Sequence, residues 1–71
     1  MQHTQYLQIG GGYSYAPLRV GLSLMNPQGK EVYFQPGEQE ATIRDTIEAL
    51  EECAPDKLDA IADMALSEYF A

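Results

Sequence analysis

A chain of 71 residues with a hydrophobic share of 45% suits one small folded domain with a modest core, not a disordered segment. No apolar run approaches the roughly 20 residues of a membrane span, and the opening MQHTQYLQIGGG lacks the basic and apolar stretches of a signal peptide, so an intracellular, cytoplasmic protein is expected. The net charge of −7 is segregated: residues 1–30 hold Arg19 and Lys30 and no acid, while all 11 acids lie from Glu31 onward against Arg44 and Lys57, a balance that disfavours direct contact with nucleic acid.

The loose alternation of TQYLQI predicts a first strand near residues 4–9, with Leu7 and Ile9 on one face and Tyr6 and Gln8 on the other. Gly10, Gly11 and Gly12 follow, the kind of run that opens a phosphate-cradling loop. Such a loop needs a helix start behind it, and here YSYAP and a strand pattern come next, with neither GxGxxG nor GK[ST] present. The glycines therefore read as a bend, or as a mobile tip that offers Tyr13 and Tyr15 to a partner. LRVGLSLM alternates more strictly and predicts a second strand near 18–25, with Leu18, Val20, Leu22 and Leu24 inward and Arg19, Gly21 and Ser23 outward. In NPQGK, Asn26 and Pro27 suit the first positions of a type I turn and Gly29 the left-handed position of a G1 bulge. The hairpin returns through EVYFQ, a third strand near 31–35 with Val32 and Phe34 inward and Tyr33 and Gln35 outward.

After Pro36 and Gly37 the hydrophobic period changes from 2 to about 3.6. Ile43, Ile47, Leu50 and Ala54 predict a helix near 38–52, or one starting at Thr42 if TIRD forms a capping box. Glu38 and Glu40 lie where the helix dipole favours negative charge, and Arg44 is four residues from both Glu40 and Glu48. Pro55 suits the first position of a second helix near 55–69, striped by Leu58, Ile61, Ala62, Ala65 and Tyr69. The expected architecture is a single α+β domain over 1–71. It is a two-layer sandwich in which a three-stranded, mainly antiparallel sheet, in β-β-β-α-α order, packs on an antiparallel pair of helices.

Catalytic chemistry finds little support. The one histidine, His3, sits near the N-terminus away from any nucleophile pattern, and Cys53 is the single cysteine, which excludes an internal disulfide. No CxxC, HExxH or DxDxDG spacing occurs, so neither a metal nor another cofactor is expected, and the chain is read as a non-enzyme.

Surface remains. Asp45, Glu48 and Glu52 fall at i, i+3 and i+7, as do Asp56, Asp59 and Asp63, so each set lines one side of its helix away from the apolar stripe. With a rise of about 1.5 Å per residue, such rows repeat charge on a scale close to that of a phosphate backbone. They are expected to dock on a basic, nucleic-acid-binding surface of a larger protein or nucleoprotein complex and to occlude it. Acidic inhibitors of the anti-CRISPR and anti-restriction kind, many of them encoded by phage, are similar in size and charge, although no motif assigns the chain to them. The plain alternative is that the acids only keep the chain soluble. An adaptor would then use the sheet face bearing Tyr6, Arg19 and Tyr33, with Tyr13 and Tyr15 at its tip, to dimerise or dock.

Overall fold

The computed structural model describes residues 5–71, within which four strands precede two helices. The strands are β1 (Leu7–Gly10), β2 (Tyr13–Pro17), β3 (Leu22–Met25) and β4 (Glu31–Phe34). The helices are α1 (Glu38–Glu51) and α2 (Pro55–Leu66), and a 3-10 turn at Ser67–Phe70 extends the latter. All neighbouring strands pair antiparallel, in the order β1-β2-β3-β4. The chain is thus α+β with an antiparallel sheet packed against two helices, and the expected count of three strands is corrected to four. His3 and the expected strand start at Thr4 lie outside the described residues.

The additional strand is YSYAP. Gly11 and Gly12 both take positive φ, 60° and 85°, as the two central positions of a type I′ hairpin turn require. Gly10 pairs with Tyr13 directly across that turn, and the register slips by a bulge at Ile9. The mobile tip expected around Tyr13 and Tyr15 is instead a paired strand in the sheet. The stretch expected to begin the next strand is a turn, closed by the Leu18 N–H donating to the Gly21 carbonyl at 3.2 Å. Leu18 and Val20 therefore do not join the alternation of Leu22 and Leu24, and Val20 is 59% exposed. Leu7, also expected inward, is 42% exposed on the edge strand.

The β3–β4 hairpin matches its expected form. The Gly29 N–H donates to the Asn26 carbonyl at 3.0 Å, and the Asn26 side chain accepts from the Gln28 and Lys30 N–H groups at 3.1 and 2.8 Å. Pairing of Leu22 with Phe34 and Leu24 with Val32 keeps the apolar face in register. From that face Ile9, Tyr13, Leu22, Leu24 and Phe34 enter one core with Ile43, Ile47 and Leu50 of α1 and Ala62 and Leu66 of α2. The 3-10 turn adds two aromatic contacts: Tyr69 meets Phe34 edge-on at 5.5 Å and Phe70 meets Tyr13 at 5.9 Å.

The helices start without side-chain caps. Gly37 is the N-cap of α1, and the Thr42 hydroxyl donates back to the Glu38 carbonyl inside the helix, so no capping box forms there. α1 ends in 3-10 fashion, with Glu52 and Cys53 N–H groups donating to Ala49 and Leu50, and Pro55 opens α2.

Candidate functional site

Burial of Ile43, Ile47 and Leu50 fixes the rotation of α1, which leaves Asp45, Glu48, Glu51 and Glu52 exposed along its C-terminal half. No basic residue stands in the last turn of α1. The carbonyl end of a helix carries partial negative charge, so these carboxylates add to the local field instead of offsetting it. Among the described residues the one ion pair is Arg44 Nε to Glu40 Oε2, at 2.7 Å, one turn before the acidic stretch. A shallow trough of about 680 Å³ lies among Asp45, Glu48, Ala49, Glu51 and Glu52.

A second, smaller groove of about 260 Å³ separates α1 from β2 and is lined by Tyr15, Pro17, Arg44, Ile47, Glu48 and Glu51. Arg44 is held there from two sides, since its Nη2 also donates to the Gly21 carbonyl at 3.2 Å. Tyr15, pictured from sequence at an exposed tip, is half-buried in this groove. Burial first, and then the neighbouring Glu51 carboxylate, push its hydroxyl above the usual tyrosine range, with Arg44 acting in the opposite sense.

The α2 row divides. All three aspartates are exposed, Asp56 in the first turn, and Asp59 and Asp63 also reach the β1–β2 hairpin. The Asp59 carboxylate accepts from the Gly11 N–H at 2.8 Å, and Asp63 accepts from the Tyr13 hydroxyl at 2.9 Å. Of the two rows read from helical spacing, the α2 row thus has its last two acids bonded to the hairpin while they stay exposed. Tyr13, proposed from sequence as a surface anchor, is 4% exposed and belongs to the core.

On the sheet face away from the helices, Tyr6 spans β2 to share a 2.9 Å hydrogen bond with Ser23, and Ser14, Ala16 and Ser23 are buried. Tyr33 is 53% exposed, and its hydroxyl donates to the Val20 carbonyl at 2.8 Å. Arg19 is exposed in the β2–β3 turn instead of on a strand. Sequence reasoning missed Glu51, Arg44 and the groove they share with Tyr15. The signal lay in YSYAP, whose alternation after a two-glycine turn marks a strand with Tyr13, Tyr15 and Pro17 on the helix side.

Among the described residues no group of three or more His, Cys, Asp or Glu side chains is placed to hold a metal ion, and no helix is long and apolar enough to cross a membrane. No family model matches the chain, and neither a curated protein nor a solved structure matches it.

Proposed function

We propose that the chain is a non-enzymatic protein–protein interaction protein, an acidic inhibitor whose α1 edge docks on a basic, nucleic-acid-binding surface of a larger protein or nucleoprotein complex and occludes it. The observation that carries this reading is where the acids sit. Glu48, Glu51 and Glu52 crowd the negative pole of α1 with no base in its last turn, an arrangement that costs each about 0.3–1 kcal/mol. Solubility alone is served equally well by acids at the helix start, where they stabilise. Complementarity to a cationic surface supplies a reason for the costly placement, and it predicts rapid, salt-sensitive association.

The test is a pull-down from the native host with the wild-type chain and the Glu48→Lys/Glu52→Lys/Asp56→Lys variant side by side. A nucleic-acid-binding protein recovered by the wild type, lost with the variant and displaced by duplex DNA is the expected result. Recovery that charge reversal leaves unchanged refutes the proposal.

A second reading has its own observation. Tyr33 on the edge strand β4 and Val20 in the β2–β3 turn are 53% and 59% exposed, and the Tyr33 hydroxyl is tied to the Val20 carbonyl. This suits an adaptor or homodimer that docks through the outer sheet face. Light scattering of the wild type against Tyr6→Ala/Tyr33→Ala distinguishes it: a dimer that the substitutions dissociate favours the adaptor, and a monomer in both removes the homodimer.

A further inference from the structure

The groove between β2 and α1 differs from the open acidic trough beside it in having apolar walls and an aromatic side. Ile47, which is 3% exposed, and Pro17 supply the apolar lining, Tyr15 the aromatic one, and Glu48 and Glu51 the carboxylates. Arg44 also lines it, but its guanidinium is answered inside the protein by Glu40 at 2.7 Å and the Gly21 carbonyl at 3.2 Å. The lining thus keeps a negative balance, the Glu48 and Glu51 carboxylates against one guanidinium that is already paired with Glu40. The volume of about 260 Å³ falls below the roughly 300–1,000 Å³ of pockets that enclose small-molecule ligands. It is on the scale of one long side chain.

We infer that this groove is a socket for a single arginine side chain of a protein partner. This rests on the acidic-docking reading above and narrows it to one anchor. The methylene stem packs on Pro17 and Ile47, and the guanidinium plane lies against Tyr15 with its N–H groups donating to Glu48 and Glu51. Arginine suits the site better than lysine because its planar fork both stacks on an aromatic face and bonds carboxylates bidentately. Phosphates are turned away by the sign of the walls, so the occupant is protein and not nucleic acid. The larger trough shares Glu48 and Glu51 as its border. Basic residues flanking the anchoring arginine therefore fall over Asp45 and Glu52, and a basic segment reads the two cavities together. Tight anchors in well-packed pockets surrounded by weaker contacts are the usual organisation of an interface.

The test uses the full chain and two probes, oligoarginine and oligolysine of equal length, at low salt, followed by calorimetry and by amide shifts in NMR. Oligoarginine is expected to bind more tightly than oligolysine and to shift the amides of Tyr15, Ile47, Glu48 and Glu51 most. Two variants with the same change of charge then separate socket from field. Glu48→Gln/Glu51→Gln weakens oligoarginine by about tenfold, as loss of hydrogen bonds to a charged group implies, while Asp45→Asn/Glu52→Asn costs less than about threefold. Tyr15→Leu removes the preference for arginine over lysine; should it fail to fold, the two carboxamide variants, at exposed positions, decide alone. Equal losses in both, with no preference between the peptides, overturn the socket and leave charge-driven docking standing. Wild-type protein that binds neither peptide overturns both.

Discussion

Tyr13 shows how one side chain can serve core and clasp together. Its ring packs with Phe70 at 5.9 Å, while its hydroxyl leaves the core to donate to Asp63 at 2.9 Å. The hydrogen bond reaches a carboxylate and is partly shielded, so Tyr13→Phe, which keeps the ring, should lower unfolding free energy by about 1–2 kcal/mol in urea titration. Tyr13 and Tyr15 also carry a pH dependence of definite sign. Burial and then the nearby carboxylates, Asp63 and Glu51 respectively, raise both hydroxyls above the ordinary value of 10.0. The folded chain thus holds these protons more tightly than the unfolded one. The stability this represents is complete below pH 10.0 and is lost as the pH climbs from there through the raised folded values. Urea midpoints followed into the alkaline range should decline beyond that point, and Tyr13→Phe/Tyr15→Phe should flatten the decline. An equally steep fall in the double variant would assign it to other groups.

Among the elements, those built from local signals were the most legible. The β3–β4 hairpin is written in Asn26, Pro27 and Gly29, and α1 in the recurrence of Ile43, Ile47 and Leu50, and both occur where the pattern puts them. β2 escaped because its alternation is carried by two tyrosines and a proline on the inward side, against Ser14 and Ala16, and not by the aliphatic residues that mark β3. The strict alternation of Leu18, Val20, Leu22 and Leu24 then drew the next strand four residues too early, through a turn that only Gly21, at φ 92°, reveals. For the site, helical spacing places Asp59 and Asp63 on α2 correctly but says nothing of the hairpin that approaches them, since contacts of 48 and 50 residues' separation are a tertiary matter. The end of α1 supplies an element-scale prediction. Glu52→Lys puts a cation at the negative pole and should stabilise the fold by about 0.3–1 kcal/mol while weakening partner binding. Glu38→Lys makes the same change of charge in the first turn of that helix, where it should destabilise by a similar amount. Thermal melts of the pair separate the dipole from net charge: equal shifts of one sign would mean that net charge alone governs both.

At the scale of the whole molecule the charge is one-sided, with about −9 beyond residue 30 against +2 before it, giving the net −7. Only Arg44 and Glu40 neutralise one another among the described residues. Like charges are repeatedly set three or four positions apart, as in Asp45 with Glu48, Glu48 with Glu52, and Asp59 with Asp63. Each such exposed contact opposes folding by a few tenths of a kcal/mol. Repulsion of this kind has no counterpart in the unfolded chain, where the helical spacing that brings the carboxylates together is gone. Salt should therefore act in opposite directions on folding and on partner binding. Between about 0.01 M and 1 M the Debye length contracts from ~30 Å to ~3 Å, which screens the repulsion and should raise unfolding free energy by on the order of 1 kcal/mol. The same screening would remove the attraction on which the proposed docking of α1 to a basic surface depends. Urea unfolding and oligoarginine binding measured over one salt series should accordingly diverge, the fold gaining stability as the complex loses it. A stability that falls with salt would mean that attraction, not repulsion, governs the acidic helices. The excess of carboxylates on α1 would then have a structural use within the chain and would no longer call for a cationic partner.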